Sequence, residues 1–299
     1  MNWVLVTVFG AFFQNLRSSL QKKLNKDIST IASTYVRFAF ALPFATILFF
    51  IFFRDLQIIN NILIQPGFLF NVLLASIFQI IFTFILLYLF NFSNFVVGTS
   101  LSKTEVIQVA LFEYLILNEK LNKFGISGII ISTLGVILLS IKDVKLFFNN
   151  LFSKTTLIGL ISGLFLALSV VYFRAAILTL DNISSNFGKA ISALFIGLFI
   201  QTLILTFYLI FFERSEFKKL YNDKYECLLT GIAGLFASLS WFYAFTLIQS
   251  SFVRALGQVE LLFSYFSSRY LFKEKVRFTE IIGIIIFVIG VTILLLSRT

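Results

Sequence analysis

Ten apolar stretches follow one another along this chain, near residues 3–20, 31–53, 67–90, 95–117, 124–141, 156–178, 184–211, 227–248, 251–272 and 279–297, each bounded by charges, a turn signal or a break in hydrophobicity. A helix crosses a bilayer core with roughly 20 apolar residues, so every stretch is long enough to span and the remainder is too short for a soluble domain. Only 13% of the 299 residues are charged, about half the share usual in water-soluble domains. A transmembrane β-barrel requires strands of about ten residues that alternate apolar and polar, whereas runs such as 281–290 are apolar throughout. The spans are therefore helices. The first has neither the basic leader nor the small-residue cleavage site of a signal peptide and runs directly into Gln14, Asn15 and Arg17, so it counts as a span.

The residue types that are missing narrow the chemistry. With no histidine and a single cysteine, Cys227, the chain cannot build a Ser-His-Asp triad, a Cys-His pair, a His-ligated or cysteine-rich metal site, or an internal disulfide. No cofactor is expected. No GxxxxGK[ST] phosphate loop is present, so direct ATP drive by this chain is not expected. The formal charge of +10 comes from Lys and Arg between the apolar runs, where basic residues orient helices and meet anionic lipid headgroups; nucleic acid is not implied. The 41 phenylalanines read as lipid-facing packing rather than a stacking platform. Pro43 and Pro66 are the only prolines and no linker divides the sequence, so residues 1–299 form one membrane domain.

The chain also repeats itself. Shifting residues 101–140 by 155 positions lays Glu105 on Glu260, Glu119 on Glu274, Lys120 on Lys275, Gly128 on Gly283 and Gly135 on Gly290, and a weaker match at a shift of 152 lays Arg37 on Lys189 and Ala41 on Ala193. Residues 1–145 then form a first five-helix repeat and 146–299 a second. Five is odd, so the second copy enters the membrane from the opposite side. The expected fold is an all-α integral membrane protein of ten transmembrane helices in two inverted five-helix repeats, an arrangement suited to alternating access. The glycine pairs, seven apart in each repeat, permit close helix contact.

An ionisable group in hydrocarbon costs at least a few kcal/mol and normally faces a partner or a wet cavity. Arg17, Arg37, Lys103, Glu105, Glu113, Arg174, Lys189, Arg254 and Glu260 all fall within spans. Arg17, Arg174 and Arg254 lie near span ends and can snorkel; Arg37, Lys103, Glu105, Lys189 and Glu260 lie deeper. Lys103 and Glu105 are about 200° apart on a helix, so neither serves the other and each needs a partner elsewhere. The repeat suggests Glu105 with Arg37 and Glu260 with Lys189. Gln14, Gln108 and Gln258 add amides that join helices or line a passage, and Trp241 and Tyr243 offer an aromatic wall. The candidate substrate-binding or coupling set is Gln14, Arg37, Lys103, Glu105, Gln108, Lys189, Trp241, Tyr243, Gln258 and Glu260, around a midplane cavity whose positive surplus favours carboxylate- or phosphate-bearing solutes. Either glutamate could exchange a proton during a cycle. The expected partners are a small-molecule substrate and membrane lipids.

The segment GTSLSKTEVIQVALFEYLILNEKL with the following GISGIIISTLGVILL, and its counterpart RALGQVELLFSYFSSRYLFKEKV with GIIIFVIGVTILL, resemble the ends of the two repeats in EamA-type members of the drug/metabolite transporter superfamily. WVLVTVFGAFFQNLRSSLQ and STYVRFAFALPF are similar to helices one and two of that family, with Arg37 where an arginine is usual. The resemblance covers nearly the whole chain. It implies a ten-helix carrier of metabolites or amphiphilic compounds, amino acids or organic anions among them, in a bacterial inner (plasma) membrane. The sequence departs from the family in lacking the helix-four proline, where Thr104 and Glu105 stand. Two other classes compete with the transporter: a membrane scaffold or regulator, and an integral-membrane enzyme acting on a lipid-linked substrate.

Orientation is contested. With the amino terminus inside, one side receives Arg54, Lys120, Lys123 and Arg298, and the other thirteen basic residues, from Lys22, Lys23 and Lys26 through Lys142, Lys145 and Lys154 to Lys273, Lys275 and Arg277. The positive-inside rule thus places both termini outside, and the resemblance implies the reverse.

Overall fold

Serine, aspartate and asparagine set where the helices start. The side chains of Ser29, Asp55, Asn122, Ser153 and Ser185 accept from the N–H of Ala32, Gln57, Gly125, Thr156 and Gly188, respectively, satisfying first-turn donors that have no partner inside the helix. The chain is described here by a computed structural model over residues 2–92, 100–141, 144–150, 152–263, 265 and 278–297, and among these residues it is all-helical. The elements are α1 (Asn2–Leu24), α2 (Thr30–Ala39), α3 (Leu42–Phe52), α4 (Leu56–Leu63), α5 (Phe68–Leu89), α6 (Glu105–Leu117), α7 (Lys123–Ser140) and α8 (Val144–Asn149). They continue as α9 (Lys154–Leu178), α10 (Asn186–Phe212), α11 (Glu216–Asn222), α12 (Lys224–Leu247), α13 (Ser250–Gly257) and α14 (Phe278–Leu296).

Pro43 explains why α2 and α3 are two helices in one crossing. It has no N–H for the Ala39 carbonyl, and the ladder lapses at Phe40 and Ala41 before resuming. The kink packs on α12 at Gly231, where a Cβ would lie closer than 3.0 Å to the Phe40 backbone.

Contacts come in matched pairs. α1 packs along α12 while α9 packs along α5; α6 lies against α9 while α13 lies against α1; and α2–α3 meets α10. Under the sequence repeat the α1–α12 and α9–α5 contacts are images of each other, and the contact of α2–α3 with α10 is its own image. The clearest self-image is the seam of α7 and α14. A Cβ on Gly128 would meet Leu294, on Gly290 Ser132, on Gly135 Phe287 and on Gly283 Leu139, in each case backbone closer than 3.0 Å. Residue numbers rise along one helix as they fall along the other, so the two equivalent helices run antiparallel with their backbones touching.

The outer surface is apolar. Phe199, Leu203, Phe207 and Ile210 are exposed along one face of α10 while Ala190, Leu194, Leu198 and Gln201 are buried on the other. In a water-soluble helix the exposed face would be polar; here it faces lipid.

Among the described residues, seven crossings are long and apolar enough to span a membrane: α2–α3, α5, α7, α9, α10, α12 and α14. The other three expected spans are not among them. The span at 3–20 carries Gln14, Asn15 and Arg17, and those at 95–117 and 251–272 are interrupted by turns. Residues 95–99, 264 and 266–272 of the latter two lie outside the described residues, as do Glu274 and Lys275 of the repeat and Lys142, Lys273, Arg277 and Arg298 of the basic tally.

Candidate functional site

The interruptions fall in register. In the α6 crossing residues 100–102 are helical, the chain tightens at Lys103 and Thr104, and the helix continues from Glu105; α13 tightens at Gln258 and Val259 and resumes at Glu260. At each, two consecutive N–H groups donate three residues back: Lys103 to Ser100 and Thr104 to Leu101, Gln258 to Ala255 and Val259 to Leu256. A shift of 155 carries Lys103 onto Gln258 and Thr104 onto Val259. A short 3₁₀ stretch inside a helix is a frequent hinge, and here two equivalent ones exist without the family's proline.

The two broken crossings pass each other antiparallel and are tied at three levels. Glu113 on α6 caps α13: the Ser250 N–H and hydroxyl donate to Oε1 and the Ser251 N–H to Oε2 at 3.0 Å. Arg254 donates to Glu105, both side chains more than nine-tenths buried. Lys103 pairs with Glu260, and Gln258 Nε2 donates to the Lys103 carbonyl at 2.9 Å. All eight residues of α13 are buried.

From Glu260 the network reaches α1 and α12. Gln14 Nε2 donates to Glu260 Oε2 at 2.6 Å, and Trp241 Nε1 donates to Gln14 Oε1 at 2.9 Å. The indole lies under the Arg254 guanidinium, 4.8 Å from it, a cation–π arrangement. Gly257 makes room for it: a Cβ there would overlap the ring. On the other side Arg37 donates to Thr83 Oγ1 at 2.8 Å, and Gln201 Nε2 bridges to Gln79 Oε1 at 2.7 Å.

These groups border a cavity of ≈ 30 Å³ lined in part by Gln14, Arg37, Gln79, Ser238, Trp241 and Arg254, with Phe82, Phe173, Phe242 and Phe245 as its apolar wall. That is room for about two waters. A metabolite enters only if the helices part.

A second ionic cluster closes the end of the molecule where α6, α9 and α12 finish. Arg174 forks onto Glu119, with Nε at 3.1 Å and NH2 at 2.6 Å, and lies 3.4 Å from Glu113. Its NH1 donates to the carbonyls of Phe245 and Ile248 at the end of α12. Asn118 makes the fork reachable. At φ 55° it ends α6, and the N–H groups of Asn118 and Glu119 both turn back to the Glu113 carbonyl.

The sequence model of the EamA-like transporter family matches residues 1–141 and again 153–296, one match to each half. The chain belongs to the EamA-like transporter family. It is thus an integral membrane protein of a family of small-molecule transporters rather than enzymes. A crystal structure of another protein, 12% identical, aligns over 100% of this chain and 99% of its own with a TM-score of 0.68, a likeness of fold alone. No curated protein matches the sequence.

Within this EamA fold the expected residues sort into three groups. Gln14, Lys103, Glu105, Trp241, Gln258 and Glu260 meet in one network, and Arg37 joins them at the cavity. Gln108 stands one turn beyond the first break, its Nε2 on Thr104 Oγ1 at 3.3 Å. Tyr243 packs half-buried against the core two residues from Trp241 and is not among the cavity-lining residues, and Lys189 sits in the first turn of α10.

The pairing of Glu105 with Arg37 and Glu260 with Lys189 is overturned. Glu105 takes Arg254 and Glu260 takes Lys103, because α6 and α13 cross, so each carboxylate meets a cation from the other half. Among the described residues Lys189 makes no ion pair. Arg254 and Arg174, weighed as snorkelling residues, are instead buried ion-pair partners. The missed signal was Ser250: proximity to a helix end implies exposure only where that end is at the surface, and the start of α13 is buried.

Proposed function

We propose that the protein is a secondary transporter that carries small polar or amphiphilic metabolites by alternating access, with ten crossings arranged as inverted repeats over 1–145 and 146–299. The observation that carries this reading is the pair of equivalent helix breaks, at 103–104 and 258–259, crossing beside a cavity that Gln14, Arg37, Gln79 and Arg254 help to line. Broken helices at matching positions of two repeats are where carriers of this architecture place their sites. A cavity too small for a metabolite is what an occluded state presents. Three ion pairs of the kind that can exchange partners, Glu105–Arg254, Glu260–Lys103 and Arg174–Glu119, lie on or beside the path between the halves.

The test is uptake and release of a metabolite panel in sealed vesicles of known orientation, comparing wild type with a Glu105→Gln, Glu260→Gln double variant at equal abundance. Flux of a defined compound that the double variant loses is the expected result. If folded protein moves no compound faster than empty vesicles, the reading fails.

A further inference from the structure

Two buried arginines make no salt bridge among the described residues. Arg17 on α1 is 3% exposed, and its Nε and NH1 have no hydrogen-bond partner. Arg37 on α2 is 6% exposed, donates through NH1 to Thr83, and leaves Nε unpartnered. Both stems pass over Gly234 of α12: a Cβ there would stand 3.5 Å from Arg17 Cδ and 3.9 Å from Arg37 Cγ. The two guanidinium groups lie within Coulombic reach of each other and of Arg254, and Arg17 also of Glu260, which Lys103 already pairs. Of the cations, Arg37 and Arg254 line the cavity, with Arg17 packed beside Arg37 over Gly234, and the ion pairs with Glu260 and Glu105 are made by Lys103 and Arg254.

Burying a guanidinium without a salt-bridge partner is costly, and a protein retains one where something else supplies the counter-charge. We propose that Arg17 and Arg37 form the seat for an oxyanion group, carboxylate or phosphate, of a soluble solute that enters the cavity. The chemistry fits the parts. Guanidinium forks match the spacing of carboxylate and phosphate oxygens, Thr83 holds one fork in place, and Gly234 leaves the volume between the stems open. Arg254 and Gln14 border the same cavity and face the remainder of the solute. The seat names the substrate class of the site described above and rests on reading its cavity as a solute passage.

The test is thermal unfolding of the full chain in nanodiscs of zwitterionic lipid, titrated with inorganic phosphate or acetate against chloride at constant ionic strength. Saturable stabilisation by at least one oxyanion is expected, because a ligand that binds only the folded state raises its stability. Arg17→Gln and Arg37→Gln should each weaken the apparent affinity by about ten- to a hundred-fold, the worth of one charge-assisted hydrogen bond. Lys218→Gln, at an exposed cation on α11, should leave it unchanged. Without added oxyanion, Arg17→Gln should unfold at the same or a higher temperature than wild type, since it removes an unpaired buried charge; a lower one would make Arg17 a structural residue and overturn the seat. So would an oxyanion response equal in wild type and both variants, no saturable response at all, or stabilisation seen only with anionic lipid. Binding is read here without flux. A protein that binds oxyanions but transports nothing keeps the seat and loses the carrier; one that carries only neutral solutes and ignores oxyanions does the opposite.

Discussion

Gln258 donates to the backbone carbonyl of Lys103 at 2.9 Å, and the two residues occupy equivalent places in the two halves of the chain. Equivalent positions touch only where an internal two-fold axis passes, so this contact marks the axis. The Lys103–Glu260 and Arg254–Glu105 pairs flank it, and the cavity lies beside them.

The axis-side pair should be exchangeable. In vesicles, Lys103→Gln and Glu260→Gln should each slow flux of a transported solute, and the swapped Lys103→Glu, Glu260→Lys protein should recover part of it. Lys189→Gln should keep the wild-type initial rate, since that lysine stands in the first turn of α10 away from the cavity lining. Matching losses in Lys189→Gln and Lys103→Gln would contradict the cross-half pairing.

Arg174 holds two carboxylates and the end of α12, so its loss should be felt as instability. Arg174→Gln removes the cation beside Glu113, whose side chain is 1% exposed and keeps only its neutral donors on Ser250 and Ser251, and breaking a buried pair from one side costs about 3–5 kcal/mol. Glu119, at 21%, keeps some water and should cost less when changed to Gln. The double variant should lose less than the sum, as residues of one network do; strict additivity in thermal or denaturant unfolding would deny the coupling.

Trp241 is a built-in reporter. With Trp3 and Trp241 the only tryptophans, a Trp3→Phe protein emits from the cavity wall alone. Its emission should change on adding a transported solute, since the indole touches both Gln14 and Arg254. An unchanged spectrum in a protein that still transports would take the cavity off the path.

The α7–α14 seam tolerates no added atom. Gly290→Ala or Gly135→Ala places a methyl against backbone, and overpacking of this kind costs about 1–3 kcal/mol. The expected sign is a lower unfolding midpoint in detergent for either variant; a wild-type midpoint in both would mean that the helices stand further apart.

Seven of the ten expected spans were legible because hydropathy is local, and the repeat because two glutamates, a lysine and two glycines recur in one register. The seam glycines behave as their spacing foretold. What the sequence hid were partners. Whether Glu105 meets Arg37 or Arg254 depends on which helices cross, and helix phase cannot supply that. The three crossings that fall short carry the polar groups of the centre: Gln14 on the first, Lys103 and Glu105 on the second, and Arg254, Gln258 and Glu260 on the third.

The seam has a mechanical meaning as well. Side chains between two helices give slack, because they can change rotamer as the helices slide; backbone against backbone offers none. α7 and α14 therefore behave as a spine. Each is the closing membrane helix of its half, so the halves are bound along one edge like the covers of a book, and whatever opens must open along the other.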